Sequence, residues 1–192
     1  MVKIGLICEG TTEQILLESD AFKNFLSSIN LEPLPVINAE GAGNLLPHNI
    51  EGYLQRLQIE GAEVIVILTD LDDGICITKT KERIAARPDD IVIVAVKQIE
   101  AWFLACNPAM QTLLGQPGFN FEFPEQETTP FETINELLVR HTARGIGRKA
   151  GKIRLVTRLI SHGLDITLSA RHHNCPSAKC FIDKLTQIGT TN

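Results

Sequence analysis

The sequence lacks paired cysteines, long apolar runs and internal repeats, and these absences exclude several classes of protein. The five cysteines are odd in number and form no CxxC pair, which is typical of free thiols in a reducing compartment. No stretch approaches the ~18 apolar residues of a membrane span, and the apolar run before Glu9 is too short for a signal peptide. We therefore expect a cytoplasmic protein with no membrane partner.

What is present is typical of an ordinary globular protein. Of the 192 residues, 44% are apolar and 21% are charged. A chain of this length buries roughly 70% of the surface that it exposes when unfolded. The fold therefore needs neither a disulfide nor a structural metal.

The net charge of −5 hides an asymmetry along the chain. Residues 1–130 carry 8 Lys and Arg against 19 Asp and Glu, whereas residues 131–192 carry 10 against 4. An acidic part that binds divalent metal and a basic part that binds phosphate would suit an enzyme acting on a polyanion. Solvated helix faces produce the same kind of split, so the charge alone does not decide.

Segments typical of strands and of helices alternate over the first 105 residues. Two strand candidates are continuous runs rich in β-branched residues, which is typical of strands buried on both faces. We predict an α/β fold with an open, mostly parallel four-stranded sheet and helices on both faces. The predicted strands are residues 2–8, 34–37, 63–69 and 91–96.

The first predicted helix follows Gly10. Thr11 and Gln14 have the spacing of a capping box, which would start the helix. Apolar residues then recur at roughly helical spacing up to Ile29, with a gap at residues 18–19. One helix with an interrupted apolar stripe is predicted.

The pattern changes after residue 105. Proline and glycine punctuate a loop-rich stretch, and helices follow near residues 132–141, 153–161 and 177–187. We expect an α/β core over residues 1–105 and a helical C-terminal extension over residues 106–192, packed on the core as one structural unit.

Acidic residues follow the predicted strands. If the strands are parallel, these residues lie along one edge of the sheet, where ligands of open α/β sheets bind. Two carboxylates about 4 Å apart repel by roughly 4 kcal/mol at an effective dielectric near 20, so such a cluster favours a cation. An all-oxygen set selects Mg²⁺ or Mn²⁺, as one or two ions. The candidate metal ligands are Glu9, Glu13, Asp70, Asp72, Asp73 and Glu100.

Some of these acids have simpler explanations. Residues 70–74 could form only a turn, since Asp and Gly are favoured there. Glu13 could merely complement the positive end of its helix. Glu9 and Glu100 are harder to explain in this way, because a carboxylate in an apolar setting is costly without a partner.

The motifs at these positions resemble the TOPRIM signature of topoisomerases, primases and OLD-type nucleases. The residues concerned are EGTTE at 9–13, after the first strand, and DLD at 70–72, after a later strand. QIEAW at 98–102 and CPS at 175–177 further resemble an uncharacterised bacterial family of standalone TOPRIM-like proteins. The resemblance covers nearly the whole chain, and the order of the motifs is specific.

This resemblance implies a metal-dependent nuclease, acting in defence against phage or mobile DNA. Two departures from the OLD-type pattern occur: Gln98 replaces a serine, and the catalytic lysine is either Lys149 or Lys152. We expect no fused ATPase domain, so an ATPase partner would be a separate protein. The acids implied to bind two divalent ions are Glu9, Glu13, Asp70, Asp72 and Glu100.

The expected reaction is Mg²⁺- or Mn²⁺-dependent hydrolysis of a phosphodiester in DNA or RNA. In the expected mechanism one metal activates water and is held by Asp70, Asp72 and Glu9. Glu13 and Glu100 hold a second ion near the leaving oxygen, and one of the two lysines neutralises the charge that develops on the phosphate.

A basic segment is the candidate phosphate-binding surface. Seven basic residues and no acid occur from Arg140 to Arg158. The segment lacks P-loop spacing, and a solvated helix junction is the simpler explanation. The candidate phosphate contacts are Arg144, Arg148, Lys149, Lys152 and Arg154.

Two other functions remain open. The DLDDG run at 70–74 resembles the nucleophile motif of haloacid-dehalogenase-like phosphatases, in which Asp70 would be phosphorylated. That motif normally ends the first strand, whereas here other elements precede it. The second alternative is a non-catalytic regulatory partner of a separate ATPase, with a vestigial metal site.

Overall fold

The computed structural model describes residues 1–74, 76–84, 87, 89–147 and 151–191. The chain divides into two compact units, Met1–Val94 with Asp183–Asn192, and Ala95–Ile182. The boundary predicted between residues 105 and 106 lies inside the second unit.

The first unit contains an open sheet whose described pairings are parallel. The strand order is β2-β1-β4-β5, and β3 also pairs with β1. In register, Ile4 to Cys8 of β1 lie beside Val64 to Leu68 of β4. The predicted α/β class with an open, mostly parallel sheet flanked by helices is confirmed. The strands are β1 (Val2–Cys8), β2 (Leu31–Pro33), β3 (Ile37–Asn38), β4 (Val64–Asp70) and β5 (Ile91–Ala95).

The sheet has five strands, not the predicted four. Most of the strand predicted at residues 34–37 is the break between two short strands, β2 and β3, which lie on either side of Pro35; of the predicted residues only Ile37 belongs to a strand. Proline has no backbone N–H to donate to a ladder, so a strand ends or breaks near it. Both short strands pair with β1.

The helices of the first unit follow the strands. A 3₁₀ segment, Ala42–Leu45, precedes α3, and the last residues of the long helix α10 (Pro176–Thr191) also belong to this unit. The other helices are α1 (Thr11–Leu17), α2 (Asp20–Ser28), α3 (Pro47–Ile59) and α4 (Ile77–Ile84).

The prediction of a single first helix and the prediction of a capping box at its start were both wrong. The gap at residues 18–19 is a true break, where the Ser19 side chain caps α2 by accepting from the amide of Phe22. Helix α1 begins at Thr11 itself, after Gly10, with no side-chain cap. Thr11 is therefore not at the N-cap position, and its hydroxyl accepts a hydrogen bond from Asn38.

The core of the first unit lies between α3 and the sheet. Ile50, Leu54 and Leu57 of α3 are fully buried against strand residues such as Ile7 and Ile67. Gly5 allows this close approach, because a Cβ there would lie 2.8 Å from Cδ1 of Leu57. Residues 4–8 of β1 are all buried, so both faces of this strand are covered.

The second unit is helical. All six residues of its first helix are buried, and Trp102 of that helix stacks on Phe181 with ring centroids 5.5 Å apart. Ser169 donates to the Trp102 carbonyl at 2.8 Å. The helices are α5 (Glu100–Ala105), α6 (Asn107–Leu114), α7 (Pro130–Thr142), α8 (Gly151–Ser161), α9 (Ile166–Ser169) and the first part of α10.

The five cysteines are free, as predicted, and three of them are buried. Among the described helices, none combines the length and the apolar character that crossing a membrane requires.

A candidate acidic site and a buried ion pair

The carboxyl ends of β1 and β4 bring Glu9 and Asp70 together. Cys8 lies beside Leu68 in the parallel ladder, so the next residues, Glu9 and Thr69, are neighbours. The Thr69 hydroxyl donates a 2.7 Å hydrogen bond to Glu9 Oε2, and the amide of Asp70 donates to the same oxygen at 3.3 Å. The Glu9 carboxylate is thereby held beside the backbone N–H of Asp70. We call Glu9, Glu13 and Asp70 the acidic edge.

Glu13 reaches the same end of β1 from the first turn of α1. Its residue is only 6% exposed, although it carries a carboxylate. An atom in the Cβ position of Gly10 would lie 3.1 Å from Glu13 Oε2, so this carboxylate lies against the turn after β1. Burial raises the pKa of the Cys8 thiol, and the negative charge of Glu13 raises it further. The Glu13 carboxylate therefore lies close enough to the carboxyl end of β1 to act on the Cys8 thiol.

Asp72 and Asp73 are exposed in a turn after β4. The amide of Gly74 donates to the Leu71 carbonyl at 2.7 Å, and Asp72 has a φ of 45°. The turn expected over residues 70–74 is therefore present.

The candidate metal ligands do not form a ready-made metal centre. Within the described ranges, no three His, Cys, Asp or Glu side chains are arranged to hold a metal ion. Glu9 and Asp70 are brought together, and Glu13 lies at the same end of β1. Glu100 belongs to the second unit. The metal ligand set stays a prediction.

A polar loop flanks the acidic edge, and the sequence patterns did not indicate it. Asn38, at the end of β3, donates to Thr11 Oγ1 at 3.2 Å and to Gln14 Oε1 at 3.4 Å. The amide of Gly41 donates to the Glu9 carbonyl at 2.8 Å. The loop after β3 is thereby tied to both β1 and α1.

Glu100 and Lys152 form an ion pair inside the second unit, in which the glutamate is buried and the lysine is partly exposed. Glu100 has no exposed surface, and Lys152 Nζ lies 3.2 Å from Oε1 and 3.3 Å from Oε2. Burial raises the pKa of Glu100, and the Lys152 charge opposes part of that rise. In the described part of the chain, Oε1 has this ion pair but no hydrogen bond of acceptable geometry. Lys152, one of the two candidate lysines, therefore lies beside a candidate acid.

A second buried network, centred on Ser177, holds α5 in place. The Ser177 hydroxyl accepts from Trp102 Nε1 at 2.7 Å and from the amide of Val96 at 3.3 Å, and donates to Glu125 Oε1 at 2.6 Å. The amide of Ser177 donates to the same Glu125 oxygen at 2.7 Å. The CPS motif is visible in the sequence, whereas Glu125 carries no local signal and was not predicted.

The basic segment is only partly described. Arg144, after α7, and Arg154, on α8, are exposed and accessible to an anion. Lys152 takes part in the ion pair with buried Glu100. The remaining predicted phosphate contacts, Arg148 and Lys149, lie outside the described residues.

The fold and these side chains define an α/β protein with an acidic edge at the carboxyl ends of two adjacent parallel strands. A helical unit carries the ion pair between buried Glu100 and Lys152. In comparisons with known proteins, no family model, no curated protein and no solved structure matches the chain. The function is therefore argued from the chemistry of the residues.

Proposed function

We propose that the protein is a Mg²⁺- or Mn²⁺-dependent phosphodiesterase that acts on DNA or RNA. The observation that carries the proposal is the pairing of Glu9 with Asp70 at the carboxyl ends of β1 and β4, with Glu13 at the same end of β1. Carboxylates concentrated at this edge of a parallel sheet suit a hard cation and an anionic substrate.

The donor set fits such a cation. Magnesium is usually bound by one or two carboxylates, with water and substrate phosphate completing its shell, so a ready-made cage of three side chains is not required. Glu9 and Asp70 would hold the ion, with Glu13 at the same end of β1 and with Asp72 and Asp73 in the adjoining turn. When bound, the metal supplies Lewis-acid activation of water and of the phosphate.

The residues of the second unit have roles of their own in this proposal. Lys152 neutralises Glu100, and its side chain remains 43% exposed, so its charge still reaches solvent and a phosphate. Among the described residues, the buried Glu100 Oε1 atom has the ion pair but no hydrogen bond, and a bound ligand would supply the missing partner. A metal ligand or an orienting acid would suit this position.

The basic segment supports a nucleic-acid substrate. Exposed Arg144 and Arg154 lie in a stretch with seven basic residues and no acid, as expected for contact with a phosphate backbone. We also propose that the protein acts in the cytoplasm, with a separate ATPase as its partner. Because of the motifs at residues 9–13 and 70–72, we group the protein with the TOPRIM-like nucleases.

The test is Mn²⁺-dependent cleavage of labelled DNA and RNA by the wild type, Asp70→Asn and Asp89→Asn. Asp70→Asn is expected to abolish cleavage, because it removes a carboxylate from the acidic edge. Asp89→Asn makes the same change of charge in the turn before β5, where Asp89 lines a cavity with Val64 at the start of β4. This control is expected to cut like the wild type.

The outcomes separate the three functions. Loss of cleavage in Asp70→Asn alone supports the proposal. Hydrolysis of a small phosphate monoester through Asp70, with polynucleotide ignored, would show a phosphatase instead. If neither substrate is turned over, with or without added ATPase protein, the nuclease proposal is wrong and the regulatory function is supported.

A further inference from the structure

The hydroxyl of Thr69 is a buried polar group that lies beside the proposed metal site. Thr69 has no exposed surface, and its Oγ1 donates at 2.7 Å to the carboxylate of Glu9, 60 residues earlier in the chain. A second contact, with the Asp70 carbonyl, is longer at 3.4 Å, so the hydroxyl proton is directed to Glu9. Thr69 was not among the predicted site residues.

Two donors of β4 fix one oxygen of Glu9. The Thr69 hydroxyl and the Asp70 amide both donate to Oε2, and neither bond involves Oε1. A glutamate side chain has several rotamers, and ordering it costs free energy. Because these donors order Glu9 when the protein folds, that cost does not fall on metal binding.

We infer that Thr69 is a positioning residue that orients Glu9 for a divalent cation at the acidic edge, an inference that rests on the proposed function. Groups that hydrogen-bond a metal-binding carboxylate fix its orientation, and removing one typically lowers metal affinity by about 10- to 100-fold. Thr69 acts through Glu9 and touches neither metal nor substrate.

The test measures Mn²⁺ affinity of the full-length chain, with Mn²⁺ alone as the probe, by electron paramagnetic resonance of unbound Mn²⁺. Thr69→Val keeps the shape and removes the hydroxyl, whereas Thr69→Ser keeps the hydroxyl. We expect Thr69→Val to weaken Mn²⁺ binding by roughly 10- to 100-fold and Thr69→Ser to stay within about threefold of the wild type.

A double-mutant cycle with Glu9→Gln supplies an independent check. If Thr69 acts only through the Glu9 carboxylate, Thr69→Val should change Mn²⁺ affinity little once Glu9 is Gln. Should Thr69→Val fail to fold, Thr69→Cys, with a weaker donor in the same place, is expected to show a loss between those of Ser and Val.

Three results would overturn the inference. A folded Thr69→Val protein with wild-type Mn²⁺ affinity removes any role for the hydroxyl. Equal losses in Thr69→Ser and Thr69→Val assign the effect to packing. The third result is a wild-type protein that binds no Mn²⁺, or an Asp70→Asn variant that binds Mn²⁺ as tightly as the wild type does. This result would contradict both the proposed function and this inference, whereas the first two results contradict the inference alone.

Discussion

Glu100 shows how one residue can couple the stability of the fold to pH. It has no exposed surface, and burial raises its pKa although Lys152 lies 3.2 Å away. An acid whose pKa is raised by folding binds a proton more tightly in the folded state. Its contribution to stability is therefore present below the ordinary value near 4.5 and is lost as the pH rises through the folded pKa.

Glu100→Gln tests this coupling, because glutamine resembles the protonated acid at every pH. The free energy of unfolding of the variant minus that of the wild type should increase as the pH rises from about 4 to about 8. Urea denaturation at a series of pH values measures the difference. Exposed Glu136→Gln on α7 is the control and should give a nearly constant difference. A constant difference for Glu100→Gln as well would contradict the assignment.

At the scale of elements, two helical glycines have opposite surroundings. Gly189, near the end of α10, lies so close to the loop after α2 that an added Cβ would come within 1.8 Å of the Ile29 carbonyl oxygen. Gly52, inside α3, has no heavy atom of another described residue outside α3 within 4 Å of that position. The first glycine is needed for packing, and the second merely weakens its helix.

Alanine at the two positions is therefore expected to act in opposite directions. Gly189→Ala should lower the free energy of unfolding by roughly 1–3 kcal/mol, because helix and loop must separate. Gly52→Ala should raise it by about 0.5–1 kcal/mol through better helix propensity. Chemical denaturation of both variants checks this, and a neutral Gly189→Ala would show that α10 does not pack closely against Ile29.

At the scale of the whole molecule, the acidic edge is expected to link metal to stability. An ion that binds only the folded state at ~100 times its dissociation constant adds roughly 2.7 kcal/mol. For a chain of this size the melting temperature should rise by about 5–10 °C with Mg²⁺ or Mn²⁺. Thermal melts of Asp70→Ala should show a much smaller rise; equal rises would place the ion elsewhere.

The charge asymmetry leads to a second prediction at this scale. Arg144→Ala combined with Arg154→Ala should weaken nucleic-acid binding and make it less dependent on salt. The slope of the logarithm of the binding constant against the logarithm of the salt concentration should fall in magnitude by roughly 0.9 for each contact with a duplex phosphate that is lost. Binding is measured at several salt concentrations. Lys23→Ala with Arg83→Ala removes the same charge from exposed positions of the first unit. If this control pair had the same effect, the basic segment would not be the binding surface.

Much of the fold follows from local patterns in the sequence. The β-branched runs at residues 63–69 and 91–96 correspond to β4 and β5, because continuous runs of such residues are typical of strands that are covered on both faces. The helices predicted near 132–141, 153–161 and 177–187 correspond to α7, α8 and α10. The capping box at Thr11 failed because the helix begins at Thr11 itself, so Gly10 holds the N-cap position and the Thr11 side chain lies inside the first turn.

The sequence by itself determined the α/β class, the acids that follow strands and the separation of charge, since all three depend on neighbouring residues. Only the tertiary structure decided which side chains meet. Thr69 bonds a carboxylate 60 residues away, Ser177 is bound by Glu125 at a separation of 52, and Lys152 meets Glu100 at the same separation. Such contacts depend on strand register and helix packing, which bring distant parts of the chain together and leave no mark in the local pattern.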